Sequence, residues 1–220
     1  MSYTLPIQEI TPLACNVHSY KLPRPDGFTF TPGQACDVAI AENGWKHEKR
    51  PFTFTSLPHE DHLEFMIKSY HDHDGVTDQL PKLSSGDALT ISDPWGTIEH
   101  KGKGTFIAGG AGITPFVAIL RDLQRNGNMA GHQLFFANKA HEDIFPTDLL
   151  DGMDGLAVTH VLSEEQTSEH AHGRIDKDFL IAHIQDLSQH FYVCGPDAMV
   201  KDINSALKDL GADTNGLVFE

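Results

Sequence analysis

Short stretches in which apolar and polar residues alternate dominate the first hundred residues. They lie at residues 35–40, 51–57, 63–68 and 88–91, with turns rich in glycine and proline between them. A two-residue period bounded by such turns is typical of half-buried strands. A helical period interrupts it from Val76 to about Leu83, where Thr77 is predicted as the N-cap. The first half of the chain is therefore predicted to be a small antiparallel β-barrel.

The second half alternates between two patterns. Apolar runs indicate buried strands at residues 105–108, 133–137, 156–162 and 191–194, and helical periods occupy 115–126, 176–184 and 196–210. Such alternation predicts a parallel sheet wrapped by helices. The composition changes near residues 98–104, so we predict two domains, residues 1–99 and 100–220.

Composition narrows the classes of protein that fit. The chain of 220 residues is 40% hydrophobic and 21% charged, as in ordinary globular proteins. It has neither a basic leader with an apolar run nor an apolar stretch long enough for a membrane span. Its three cysteines form no Cys-x-x-Cys pair, which disfavours a zinc site or an iron–sulfur cluster held by this chain and predicts free thiols in the cytoplasm.

The charge is strongly acidic and evenly spread. Residues 1–99 carry 7 basic against 14 acidic side chains and residues 100–220 carry 9 against 17, which gives a net charge of −15. The negative charge therefore makes nucleic acid and anionic membrane surfaces poor partners for this chain.

A glycine-rich turn follows the strand at residues 105–108. It contains Gly109, Gly110 and Gly112, and a helix opens at Thr114-Pro115. Small residues let backbone N–H groups approach a phosphate, and a helix N-terminus favours the negative charge. The spacing is not G-x-G-x-x-G, so a tight turn without a ligand is the alternative interpretation.

Two segments of the barrel suggest a second phosphate-containing ligand. Arg50, followed by Pro51, Phe52 and Thr53, offers a cation for a phosphate and a ring on the same strand face for stacking. Gly75-Val76-Thr77 opens the short helix, whose N–H groups offer another phosphate site. Read alone, the first segment also fits an ordinary edge strand and the second a simple helix cap.

Taken in order, these segments resemble a known family. Together with Gly86-Asp87, Asp93-Pro94-Trp95-Gly96 and Cys194-Gly195-Pro196, they are similar to the ferredoxin–NADP reductase family, closest to its compact flavodoxin/ferredoxin reductase-like members without an iron–sulfur domain. The resemblance covers essentially the whole chain. It implies an FAD-binding antiparallel barrel, an NAD(P)-binding α/β domain, and hydride transfer from NAD(P)H to the flavin.

The resemblance also implies roles for individual residues. On the flavin side, Arg50 binds the pyrophosphate, Phe52 stands against the isoalloxazine where tyrosine is usual, Thr53 bonds near flavin N5, and Gly75, Val76 and Thr77 hold the pyrophosphate. On the nucleotide side, Gly110 and Thr114 lie along the NAD(P) pyrophosphate and nicotinamide, with Gly109 and Gly112 in the same cofactor-binding turn. Cys194, Gly195 and Pro196 lie beside the nicotinamide. Thr53 and Cys194 are the candidate catalytic residues, although nothing near Cys194 in sequence would activate it as a nucleophile.

Several questions stay open at this stage. Glu164, after the strand at 156–162, would repel a 2′-phosphate and favours NADH, whereas Lys139 and Arg174 leave NADPH open. Phe219 either shields the flavin or ends a core strand. The cluster His71-Asp72-His73-Asp74 is interpreted as a loop and no metal site is predicted.

The electron acceptor is predicted to be a protein such as ferredoxin or flavodoxin, or a small molecule. The alternatives are an electron-transfer subunit of a larger complex and a flavin redox sensor without turnover. A basic patch of Lys46, Lys49, Lys101 and Lys103 is predicted as the docking surface of the acceptor.

Overall fold

The structure is a computed structural model that describes residues 1–42, 44–71, 75–96 and 98–213 and the backbone of 217–219. Seven strands and one short helix form the first half. They are β1 (Ser2–Pro6), β2 (Glu9–Ala14), β3 (Val17–Pro23), β4 (Ala35–Ile40), β5 (Arg50–Thr53), β6 (His62–Lys68), α1 (Val76–Gln79) and β7 (Ala88–Ser92).

These seven strands form two antiparallel sheets that close on one another. One sheet has the order β1-β7-β4-β5 and the other the order β2-β3-β6. Backbone hydrogen bonds join the sheets at both sides, from Gln8 N–H to the Lys21 carbonyl at 2.8 Å and from Thr55 N–H to the Glu64 carbonyl at 2.9 Å. Alternation places every second side chain inside, as with Leu63, Phe65 and Ile67 of β6. The result is the predicted antiparallel barrel.

Two expectations for this half need correction. The strands β1, β2 and β3 were not predicted, because their polar positions and Pro6, Pro12 and Pro23 obscure the alternation. The N-cap of α1 is Gly75, in an extended conformation with φ −131° and ψ 174°, and no side chain caps the helix. The prediction of Thr77 as N-cap is therefore wrong, since Thr77 already lies in the first turn.

The second half is a parallel sheet with helices on both faces. Its elements are β8 (Gly104–Gly109), α2 (Thr114–Arg125), β9 (Gln133–Asn138), α3 (Thr147–Asp151), β10 (Ala157–Leu162), β11 (Ala171–His172), α4 (Lys177–His183), β12 (His190–Cys194), α5 (Asp197–Leu210) and β13 (Leu217–Phe219). The strand order is β11-β10-β9-β8-β12-β13, and all neighbouring pairs are parallel. The predicted fold class is confirmed. The short elements α3, β11 and β13 are additions to the prediction.

The two faces of this sheet have separate apolar clusters. α2 packs on one face, where Phe116 and Leu120 lie against Phe106 and Phe136. α4 and α5 pack on the other face. The cluster under α2 also includes Val17 and Met66 of the barrel, so the barrel docks on the α2 side. None of the helices in the described part of the chain has both the length and the apolar character needed to cross a bilayer.

Candidate functional site

Four neighbouring strands end at one edge of the parallel sheet. β8 and β12 each run into a turn and a helix, whereas β9 and β10 run into loops. Ligands of open parallel sheets bind outside the carboxyl ends of the strands. This carboxyl edge is therefore the candidate nucleotide site.

The two strand-to-helix turns at this edge touch backbone to backbone. A Cβ atom added to Gly112 would overlap the Cys194 carbonyl and lie 2.6 Å from Gly195 N. One added to Gly195 would lie 3.1 Å from Gly109 N, and one added to Gly109 would lie 3.0 Å from Pro196 Cδ. Only glycine permits such an approach. The structure thus brings together five predicted residues from two segments about 85 residues apart in sequence. They are Gly109, Gly112, Cys194, Gly195 and Pro196.

The start of α2 faces the same edge. Gly110 has φ +50°, and a Cβ atom added there would meet nothing within 4 Å, so its backbone borders open space. The buried Thr114 is the first residue of α2 and donates its hydroxyl to the Ala111 carbonyl at 3.1 Å. A 3₁₀ turn, Gly110–Ile113, runs directly into α2, and the Thr114 N–H group donates to the Ala111 carbonyl. The N–H groups without helical partners are therefore those at the start of this turn, and such groups attract anions. This turn can hold a phosphate.

The barrel segment with Arg50 is an edge strand. β5 pairs with β4 alone in its sheet, with Phe52 opposite Cys36. The ring of Phe52 is half-buried against the barrel core. The Arg50 guanidinium is about half exposed, donates to the Lys49 carbonyl at 2.7 Å and lies 3.8 Å from Glu48. Arg50 and Phe52 share a strand face, so a cation and an aromatic ring are available side by side.

The start of α1 lies beside an ionised carboxylate that is paired with two side chains. Gly75 and Val76 are buried and Thr77 is half-buried. Asp78 accepts hydrogen bonds from His71 at 2.8 Å and Lys82 at 2.9 Å, and these two partners hold the pKa of Asp78 below its usual value. The acidic side chain next to the predicted phosphate site is therefore paired.

Comparison with known proteins now decides the family. Residues 2–102 match a family model described as an FAD-binding domain, and residues 106–205 match an oxidoreductase NAD-binding domain. NADH-cytochrome b5 reductase 1 of Ajellomyces capsulatus is 30% identical to the chain, over 96% of the chain and 75% of the relative. The chain belongs to the ferredoxin–NADP reductase-like family. FAD and NAD(P)H as its cofactors follow from this membership, as predicted.

Other proteins of this family also match most of the chain. The reductase component of propane 2-monooxygenase from Rhodococcus jostii is 25% identical over 97% of the chain, and the chain spans 62% of that relative. A ferredoxin NADP⁺ reductase from Neisseria gonorrhoeae, solved with bound FAD and NADP, shares the fold with a TM-score of 0.87 and 19% identity, over 100% of this chain and 98% of that one.

In the described part of the chain, two ion pairs that sequence analysis missed join its two halves. Lys68, at the end of β6, lies 2.8 Å from Asp143, and both side chains are less than a fifth exposed. Arg121 of α2 lies 2.6 Å from Glu60 and donates to the Thr55 carbonyl at 2.7 Å. Pairs between residues so distant in sequence leave no local signal. They fix the end of β6 and the segment after β5 against the nucleotide-binding half.

The Arg121 pair changes the titration of its partner. Burial alone would raise the pKa of Glu60, but the Leu57 N–H group and the Arg121 guanidinium outweigh burial. The net effect lowers the pKa of Glu60 below its usual value. Glu60 is therefore ionised at neutral pH.

The loops after β9 and β10 meet at a cluster of charged side chains. Lys139 lies 3.1 Å from Glu164, and Glu165 accepts from the His141 N–H group at 2.7 Å. His141 also lies 3.0 Å from His170. Sequence analysis singled out Glu164 and Lys139 but not the histidines, which only the fold brings together.

The predicted lysine patch is divided by the fold. Lys101 and Lys103 precede β8 and lie at the amino-terminal edge of the parallel sheet, opposite the candidate site. The Lys103 side chain lies over Gly131 and lines a cleft of about 520 Å³ with His132 and Gln189. A patch of all four lysines is therefore wrong, and only Lys46 and Lys49 lie beside β5.

Two predictions fall partly outside the described residues. The backbone of Phe219 pairs with Val193 as part of β13, but its side chain is not among the described atoms, so flavin shielding stays a prediction. Residues 72–74 of the histidine–aspartate cluster also lie outside the description. Among the residues that the structure does describe, no group of three or more His, Cys, Asp or Glu side chains could hold a metal ion.

Proposed function

We propose that this chain takes hydride from NADH in preference to NADPH and passes electrons through FAD to a protein acceptor. The observation that carries the proposal is the Lys68–Asp143 ion pair. Lys68 ends β6, seven residues before the predicted flavin site at Gly75, and Asp143 follows β9 at the carboxyl edge of the parallel sheet. The pair thus supports placing the two predicted cofactor sites side by side.

The barrel residues would hold FAD. The exposed guanidinium of Arg50 and the N–H groups of Gly75, Val76 and Thr77 would bind its pyrophosphate. Phe52 would stack against the isoalloxazine, and Thr53 would hydrogen-bond near its N5 atom. FAD accepts hydride and can release electrons one at a time, so the protein supplies position and electrostatics.

The residues at the carboxyl edge would hold the nicotinamide nucleotide. Gly110 and Thr114, with the N-terminus of α2, would bind the pyrophosphate. Gly109, Gly112 and Gly195 would keep the two turns close enough for the nicotinamide to lie beside Cys194 and Pro196. Thr53 and Cys194 would then flank the reacting rings.

The loop charges support the preference for NADH. Lys139 is held by Glu164, and Glu165 adds a further negative charge nearby. A 2′-phosphate would meet this acidic edge without a free cation from Lys139, whereas a ribose hydroxyl would find carboxylate acceptors. Glu164 is therefore the proposed determinant of cofactor choice.

The proposed acceptor is a separate protein such as ferredoxin or flavodoxin. Relatives named as reductase components of oxygenase systems support an acceptor centre on another chain. If that partner were bound permanently, this chain would be the electron-transfer subunit of a larger complex. We further propose that residues 1–99 and 100–220 form the two domains, and that the three free cysteines reflect a reducing cytoplasm.

The test is an anaerobic visible spectrum of the purified protein with FAD, before and after adding NADH or NADPH. Bleaching of the flavin by NADH, more slowly by NADPH, is the expected result. Faster bleaching by NADPH would contradict the assigned role of Glu164. A flavin that neither nucleotide reduces would favour the redox sensor, and a protein that takes up no FAD would refute the barrel assignments.

A further inference from the structure

The side-chain amide of Asn138 is buried and has no hydrogen-bond partner among the residues that the structure describes. It ends β9 at the carboxyl edge and is 8% exposed. Its backbone carbonyl accepts the Ser163 N–H group at 3.0 Å, but neither Oδ1 nor Nδ2 of its side chain is bonded to anything in the described part of the chain. A buried polar group left unpaired costs free energy comparable to a lost hydrogen bond.

The fold alone does not explain an amide at this position. Alternation along β9 puts Asn138 on the same face as Leu134 and Phe136, both in the apolar cluster under α2. A leucine there would continue that cluster and leave no atom unpaired. Unpaired buried groups in native structures call for a specific explanation, such as a functional role.

The surroundings of Asn138 identify the region of the ligand. Ala137 pairs with Gly109, so Asn138 lies one residue beyond Gly109 along the edge. β9 also contacts the turn of residues 110–113 that leads into α2. The amide therefore lies between the proposed pyrophosphate site and the loop that carries Glu164.

The chemistry of the amide narrows the ligand group. Oδ1 only accepts and Nδ2 only donates, and both are unused. A phosphate oxygen could satisfy only the donor, whereas a hydroxyl both donates and accepts. We propose that the Asn138 side chain binds a ribose hydroxyl of the nicotinamide nucleotide. This inference rests on the nucleotide site proposed above.

The test compares Asn138→Leu and Asn138→Ala with the wild type, all loaded with FAD. Calorimetry would measure the dissociation constants for ADP-ribose and NAD⁺ at one salt concentration. ADP-ribose carries the riboses but no nicotinamide. We expect both variants to bind ADP-ribose roughly tenfold more weakly, as loss of a direct hydrogen bond predicts. Urea unfolding without nucleotide should show Asn138→Leu to be at least as stable as the wild type.

The matched control is Asn204→Leu. Asn204 lies in α5, is 9% exposed, and has an unpaired Oδ1 atom, but it belongs to the opposite face of the sheet. Its replacement should leave both dissociation constants unchanged. Asn138→Ala keeps the test valid if the leucine does not fit.

Three outcomes would overturn the proposal. Unchanged ADP-ribose affinity in a folded Asn138 variant would refute the contact while leaving the nucleotide site standing. Loss of affinity for NAD⁺ but not for ADP-ribose would assign the amide to the nicotinamide group instead of a ribose. A wild-type protein that binds neither compound would refute the proposed nucleotide site together with this contact.

Discussion

At the residue scale, Gly112 is the position where the two strand-to-helix turns leave no space for a side chain. The variant Gly112→Ala would push a methyl group into the Cys194 carbonyl. We expect a loss of about 1–3 kcal/mol in the free energy of unfolding, the usual cost of overpacking. NADH should also bind more weakly, because separating the turns shifts Cys194 and the start of α2. Urea unfolding and stopped-flow flavin reduction would measure the two effects.

The control at this scale is Gly127→Ala. Gly127 follows α2 with φ +69°, and a Cβ atom there would meet nothing within 4 Å. Alanine should cost about 1–2 kcal/mol from its left-handed backbone alone, without altering NADH binding. The importance of turn contact would be refuted if Gly112→Ala bound NADH as well as Gly127→Ala does.

At the scale of elements, the sequence predicts the helices and strands that have a clear local pattern of apolar residues. β8 was found from its continuous apolar run, since all its residues are buried, and α5 from its helical period. Gly211 ends α5 in the left-handed conformation that a glycine cap provides. β1 pairs with β7 across some ninety residues by their numbering, and such pairing leaves only a weak local pattern. The Arg121–Glu60 pair and the orphan amide of Asn138 have no sequence signal, because they depend on how distant segments meet.

The contact between α2 and the barrel should depend on pH through Glu60. Its pKa is lowered in the folded protein, so ionised Glu60 adds stability above its unfolded pKa of about 4.3. That stability is lost as the pH falls through the folded value. Glu60→Gln should be less stable than the wild type by about 1–3 kcal/mol at neutral pH, and the difference should shrink below about pH 4. Urea unfolding of both proteins with FAD across this range would measure it.

A double-mutant cycle isolates the pair. Arg121 also donates to the Thr55 carbonyl, so Arg121→Gln alone removes more than the ion pair. The coupling energy between Arg121→Gln and Glu60→Gln should be favourable at neutral pH and approach zero in acid. If the free energies of unfolding of wild type and Glu60→Gln differed by the same amount at every pH, the charge of Glu60 would not hold α2 to the barrel.

At the scale of the whole molecule, a net charge of −15 opposes the approach of an acidic acceptor. The segment of residues 46–50 is locally positive in spite of this net charge. It contains Lys46, Lys49 and Arg50 and a single carboxylate, Glu48, and all four side chains are exposed. It leads into β5, the strand proposed to hold the flavin, of which Arg50 is the first residue. If the acceptor docks there, local attraction dominates the encounter, and its rate should fall as salt screens that attraction.

Charge reversal at Lys46 and Lys49 should change the sign of this salt effect. With the attraction removed, only the overall repulsion is left for salt to screen, so the double variant Lys46→Glu/Lys49→Glu should reduce an acidic ferredoxin faster as salt rises. At low salt it should be roughly threefold to tenfold slower than the wild type, while NADH reduces its flavin at the same rate. The matched control is the double variant Lys201→Glu/Lys208→Glu, two exposed changes on α5 that add the same negative charge away from β5. The docking surface would lie elsewhere if the Lys46→Glu/Lys49→Glu variant kept the wild-type salt dependence. It would also lie elsewhere if the control on α5 reversed that dependence equally, because the overall charge and not its position would then govern the encounter.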